Sequence, residues 1–275
     1  MSVPGQYLYT LFPYIYTMPT PSILLFGANG YVGGTIASAA RQENHHVTEI
    51  GSRDFPFWED VGMWPKELLE TPADTAIIAA DFETRVAHGD ESLAETLRKK
   101  FTAFIDRLRV KRIIFLSTDA VFDGLHGPYT ESDPLSPLTA YGRCKRDMET
   151  IITRYPNTHI VRPSVVWGPG ATRPDVRRLR FLEKESEQYR GATNAFRSPI
   201  EVSHLARTII RMTQEEAPPK IVHIATPRMN YFDFLRSCLF PEISNRVIPW
   251  TDPAIPQHDT SLITEYAQLI HRLIN

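Results

Sequence analysis

Residues 22–34 read SILLFGANGYVGG. The first five are apolar and run into a glycine, the pattern of a short strand buried on both faces. Residues 31–41 then carry a helical pattern. The turn between them holds Gly27, Gly30 and Gly33 in a G-x-x-G-x-x-G spacing. Gly27 suits a tight turn, Gly30 lets another group approach the backbone, and Gly33 lets the helix lie close to the strand. A helix start also presents unpaired N–H groups, which suit phosphate oxygens. Glycine spacing alone is a weak signal. Set between a strand and a helix, it points to a dinucleotide pyrophosphate.

The pattern continues outward. Strands are expected near 46–50, 75–80, 112–116, 159–166 and 221–224. Helices are expected at 91–110, where apolar residues fall at 93, 97, 101, 105 and 108, and at 141–154, 202–212 and 231–239. Residues 261–274 read as a closing amphipathic helix. Strands alternating with helices imply a parallel sheet covered on both sides. The expected fold class is α/β: a Rossmann-type doubly wound parallel sheet with a small C-terminal substrate-binding lobe. Residues 1–20, with five aromatics and no charge, form an N-terminal extension. Residues 21–167 form the dinucleotide-binding domain. Residues 168–275 are mainly lobe, with segments near 198–226 returning to the first domain.

Composition narrows the function. The 275 residues are 42% hydrophobic and carry a net charge of -2, which disfavours an electrostatic nucleic-acid binder. Cys144 and Cys238 are the two cysteines, too few for a disulfide framework. Neither they nor the nine histidines show metal-ligand spacing, so no metal is expected. No apolar run reaches the roughly 18 residues of a membrane span. A cytoplasmic protein is the expectation.

The second strand leads into Gly51-Ser52-Arg53, followed by Asp54. A hydroxyl and a guanidinium suit the 2′-phosphate of NADP. Alternatively, Arg53 is solvated and Asp54 holds an NAD ribose. Further on, Tyr141 and Lys145 lie four residues apart and share a helix face. An ammonium there stabilises a phenolate, which suits a tyrosine exchanging a proton with a carbonyl oxygen. Thr118, at the end of the preceding strand, can donate a hydrogen bond to the same oxygen.

GANGYVGG, STDAVFDG from residue 117, PYTESD at 128–133, SPLTAYGRCK at 136–145, VRPSVVWGPG at 161–170 and RSPIEVSHLA at 197–206 occur in a familiar order. With them the chain resembles the extended short-chain dehydrogenase/reductase superfamily, and most closely the dTDP-4-dehydrorhamnose reductase family. The resemblance implies a catalytic trio of Thr118, Tyr141 and Lys145. Tyr141 would protonate the substrate oxygen, while Lys145 would bind the nicotinamide ribose and depress the Tyr141 pKa. It assigns cofactor contacts to Gly27, Asn29, Gly30, Tyr31, Val32, Gly33, Ser52, Arg53, Ala79, Ala80, Ser117, Lys145, Arg162 and Pro163. Substrate contacts fall to Ser117, Asp119, Ala120, Val121, Arg173, Arg177 and Arg197. The implied reaction is NADPH-dependent reduction of a 4-keto-6-deoxy sugar nucleotide, with NADPH preferred to NAD.

Related dehydratases carry an Asp-Glu pair after the threonine. Here Asp119 is followed by Ala120, which disfavours dehydration. An asparagine usual in the helix at 91–110 is absent. Two alternatives stay open: an NAD-dependent sugar-nucleotide epimerase, and a non-catalytic NADP-binding subunit like the regulatory subunit of methionine adenosyltransferase. The expected partner is a sugar nucleotide, with no nucleic acid and no membrane. A homodimer is left open.

Overall fold

Side-chain alternation inside one sheet organises the molecule. The computed structural model describes residues 22–170, 188–239, 241–251, 253 and 258–274. The N-terminal extension, Arg173 and Arg177 lie outside the described residues. In β1 (Ser22–Phe26), Leu24 and Phe26 enter one core while Ile23 and Leu25 enter the other. β3 (Ala73–Ile78), β4 (Val110–Leu116) and β5 (Thr158–Pro163) divide their apolar residues in the same way. Strands buried on both faces require cover on both, the arrangement that parallel pairing with crossover helices supplies.

β2 (His46–Ile50) and β10 (Ile221–Ile224) complete a six-stranded sheet in the order β10-β5-β4-β3-β1-β2. All five pairings are parallel. From β1 the chain moves outward to β2, then returns past β1 to β3. The strand order therefore reverses between β1 and β3, and the crevice beyond their carboxyl ends is where such sheets bind ligands.

On one face lie α2 (Lys66–Glu70), α3 (Thr84–Ala87), α4 (Ala94–Arg107) and α5 (Ala140–Ile152). Phe104 of α4 is fully buried, with its ring 4.8 Å from Phe26 and 5.1 Å from Phe55. On the other face lie α1 (Tyr31–Gln42), α6 (Val202–Met212) and α8 (Ala267–Ile274). No helix among the described residues is long and apolar enough to cross a membrane.

The remaining strands are short. β6 (Val166–Trp167) pairs with β9 (Ile200–Glu201), and β7 (Tyr189–Ala192) with β12 (Val247–Trp250). β8 (Ala195–Arg197) lies between β11 (Met229–Asn230) and β13 (His258–Asp259), with α7 (Tyr231–Phe234) following β11. The closing helix begins at Ala267, six residues later than its periodicity suggests. Residues 261–263 are held by Tyr129 instead: its N–H donates to the Ser261 carbonyl (2.9 Å), and its carbonyl accepts from the Ile263 N–H (2.8 Å). The apolar side chain of Leu262 is buried with Val121, Phe122 and Tyr129 rather than on a helix face.

Candidate active site

The glycine loop is built by exclusion. Gly27 has φ +90°, and a Cβ there would lie 2.7 Å from the Ala79 carbonyl. A Cβ on Gly33 would lie 2.0 Å from the Gly27 oxygen. Gly30 caps α1 with no side-chain hydrogen bond. The first-turn N–H groups of Tyr31 and Val32 thus lack intrahelical acceptors, as at any helix start. Beside this loop opens a cleft of about 540 Å³, a volume suited to a small-molecule ligand. Gly27, Asn29, Gly30, Gly51, Ser52, Ala79 and Ala80 line it, together with Phe55, Phe57, Trp58, Asp81, Thr84 and Arg85. A loop that any side chain would fill, next to an aromatic-lined cleft, fits a dinucleotide.

Ser52 lines the cleft, whereas Arg53 is exposed and does not. Asp54 turns back and accepts the Gly51 N–H at 2.8 Å. The aromatic run at 55–58 was not singled out from the sequence, because it follows neither a helical nor a strand period.

Thr118 follows β4, and its Oγ1 accepts the Ala120 N–H at 3.2 Å. Thr139 caps α5, its Oγ1 accepting the Gly142 N–H at 3.0 Å. A Cβ on Gly142 would fall 2.1 Å from the Ala120 carbonyl oxygen, so glycine is what lets α5 settle on the 119–121 turn. That contact brings Tyr141 near enough to Thr118 for the hydroxyl to lower the phenol's pKa. Lys145 is 4% exposed, with Nζ 3.3 Å from the Leu116 carbonyl and 5.8 Å from the Tyr141 ring centre. Thr118, Tyr141 and Lys145 therefore meet at the carboxyl edge of the sheet.

A residue absent from the sequence reading joins them. Glu83, 1% exposed, places Oε1 2.8 Å from Lys145 Nζ. Burial pushes the Tyr141 hydroxyl pKa up, Lys145 pulls it down, Glu83 and Asp81 raise it again, and the Thr118 hydrogen bond lowers it. The net direction is upward. Lys145 thus lowers the Tyr141 pKa as expected, but burial and two carboxylates outweigh one ammonium. Burial alone would lower the Lys145 pKa, but Glu83 and Tyr141 hold it above its ordinary value.

Other expected contacts face elsewhere. Arg162 is 2% exposed, and its Nε and Nη2 donate to Glu149 at 3.0 and 2.7 Å. Ser117 Oγ donates to the same carboxylate at 2.5 Å. These two side chains tie β4 and β5 to α5, and Pro163 is buried beside them. Val121 is wholly buried in the small cluster with Leu262, so its side chain is not available to a substrate.

Asp119 anchors the other side of the site. Its Oδ2 accepts from Ser164 (2.6 Å) and Thr260 (3.1 Å), and Arg197 Nε lies 3.8 Å away. Arg197 Nη1 is 3.0 Å from His258 Nδ1. The Arg228 guanidinium lies 3.4 Å over the Phe196 ring and donates to Asp259 at 2.8 Å. Ser164 lies within the VRPSVVWGPG stretch but was not singled out, and Arg228, His258 and Thr260 had no sequence signal, since isolated polar residues far apart in the chain show no spacing.

With this geometry in view, comparison with known proteins is specific. Residues 21–253 match the family model described as RmlD substrate binding domain. A dTDP-4-keto-6-deoxy-D-glucose reductase of Streptomyces niveus is 26% identical over 221 residues, covering 78% of this chain and 76% of that protein. Methionine adenosyltransferase 2 subunit beta of Rattus norvegicus is 28% identical over 166 residues, covering 55% of this chain and 48% of that one. A crystal structure of dTDP-4-dehydrorhamnose reductase from Bacillus anthracis, in complex with NADP, gives a TM-score of 0.73 at 18% identity and covers 92% of both chains. At that identity the likeness speaks to fold.

Proposed function

Because this chain belongs to the RmlD substrate binding domain family, within the extended short-chain dehydrogenase/reductase superfamily, we propose that it reduces the keto group of a 4-keto-6-deoxy sugar nucleotide with NADPH. The observation that carries this reading is the meeting of Thr118, Tyr141 and Lys145 beside the glycine cleft. Gly27, Gly30 and the first turn of α1 would receive the pyrophosphate, with Ala79 and Ala80 as the facing wall. Ser52, with Arg53 next to it, would meet the 2′-phosphate, which is the basis for preferring NADPH. Reduced nicotinamide, when bound, supplies the hydride.

The protein's own part is to place and protonate the oxygen. Tyr141, kept as the hydroxyl at neutral pH, donates its proton to the developing alkoxide. Thr118 offers a second hydrogen bond to that oxygen. Arg197, steadied by Asp119 and His258, would face the nucleotide diphosphate. Ala120 rather than a second acid follows Asp119, which disfavours elimination of water.

The direct test supplies NADPH and a 4-keto-6-deoxy sugar nucleotide and follows nicotinamide oxidation. Wild-type protein should turn over, and Tyr141→Phe should lower kcat by roughly 10²–10⁴-fold. Absence of wild-type turnover with any such sugar would overturn the proposal. The relation to methionine adenosyltransferase 2 subunit beta favours one second reading, a dinucleotide-binding partner of another enzyme. Co-purification with a synthetase, together with absence of turnover, would select it.

A further inference from the structure

Glu83 has no part in the scheme above, yet it is among the most buried charged groups described. It sits in the loop between β3 and α3, with its side chain sealed from solvent. Neither of its carboxylate oxygens has a hydrogen-bond partner apart from the nearby ammonium of Lys145. A buried, unpaired carboxylate is costly, so the pair holds together by mutual neutralisation. The ammonium is hemmed in on its other sides by the Leu116 carbonyl, the Phe115 ring at 5.2 Å and the Tyr141 ring.

We propose that Glu83 is a positioning residue for the Tyr141–Lys145 pair: its carboxylate clamps and neutralises the ammonium, so that Tyr141 stays a hydroxyl and serves as a proton donor rather than a proton acceptor. The proposal rests on Tyr141 being the proton-transfer group of the preceding subsection.

Burial raises the Glu83 pKa above its ordinary value, and the Lys145 ammonium at 2.8 Å pulls against that rise. A lone ammonium near a phenol favours the phenolate and would equip the site to remove a proton from an alcohol. Glu83 cancels that charge at 2.8 Å. The charged and titratable groups that face Tyr141 are Lys145 from its own helix, and Glu83 and Asp81 from the loop after β3, with the Thr118 hydroxyl on the β4 side. Asp81 reinforces Glu83, and Lys145 is the cation that opposes them. Cys144, the next residue before Lys145, is likewise pushed up to about 11 by burial and by Glu83.

The test reads Tyr141 itself and needs no turnover. Protein labelled with ¹³C at the tyrosine ζ position is titrated by NMR, with Tyr141→Phe assigning the signal. Glu83→Gln should lower the Tyr141 midpoint by about one pH unit or more, since the ammonium is then left uncompensated. The double variant Glu83→Gln with Lys145→Met should abolish that drop. An unchanged or raised midpoint in Glu83→Gln, or a drop that persists in the double variant, overturns the proposal. Should Glu83→Gln not fold, Glu83→Asp carries the same test. Its carboxylate is drawn back by one methylene, so a smaller drop is expected, and no drop counts against the clamp. Wild-type protein that turns over no keto sugar would defeat the proposed function, while the titration would still decide for or against Glu83.

Discussion

Arg53 and Asp54 are neighbours with opposite consequences for cofactor choice. Asp54 is held by the Gly51 N–H, within its own loop, while the Arg53 guanidinium is exposed next to Ser52 at the cleft. A ribose-binding acid would favour NAD, and an adjacent arginine favours the 2′-phosphate. Arg53→Ala should therefore weaken NADPH binding about tenfold, the loss of about 1.4 kcal/mol, and leave NADH binding unchanged. Fluorescence titration with each cofactor checks this; equal losses for both would place Arg53 outside the recognition of the phosphate. The glycines, Thr118, Tyr141 and Lys145 were legible in the sequence because each belongs to a local spacing or a strand end. Glu83 was not. Its role depends on a lysine 62 positions later in the chain that only folding brings to 2.8 Å.

The turn that follows Thr118 behaves as an element in its own right. Asp123 Oδ1 accepts from the Tyr129 hydroxyl (2.5 Å) and the Leu125 N–H (2.8 Å), and Oδ2 accepts from Ser136 (2.8 Å). Burial would raise the Asp123 pKa, but these hydrogen bonds from Tyr129, Leu125 and Ser136 prevail and hold it at about 2. A carboxyl depressed in the folded state stabilises fully above its unfolded value near 4, and that stability is lost as pH falls toward 2. Asp123→Asn should thus cost about 2 kcal/mol at neutral pH, with the gap to wild type closing in acid. Denaturant titrations at pH 7 and below pH 3 measure both ends; a gap that is constant with pH would refute the ionic origin. At this scale the six sheet strands and the longer helices α1, α4, α5 and α6 were readable from hydrophobic period, whereas α2 and α3, of five and four residues, were too short to show one. The two- and three-residue strands were not, because they are too short to show a period. The closing helix was overextended, since Leu262 fits a helical stripe but is buried in a bridge to Tyr129.

For the molecule as a whole, the described residues 258–265 serve as a floor beneath the site. Thr260 donates to Asp119 across 141 positions, and Thr264 donates to Glu131 across 133 at 2.6 Å. Glu131 also accepts the His223 N–H at 2.8 Å, which joins this floor to the edge strand β10. Thr260→Val removes one hydrogen bond from Asp119 and none from the glycine cleft. It should raise the sugar-nucleotide KM several-fold while the NADPH dissociation constant stays at its wild-type value. Steady-state kinetics with a parallel cofactor titration separates the two, and a matching loss of NADPH affinity would mean that the floor supports the whole crevice. These long separations also dictate an order of assembly. A nascent chain that has emerged through residue 250 already carries every strand of the six-stranded sheet and the complete glycine loop. Its Asp119, however, still waits for Thr260. On the ribosome, then, the sheet and its glycine loop can pair before the turn that holds Asp119 has its floor.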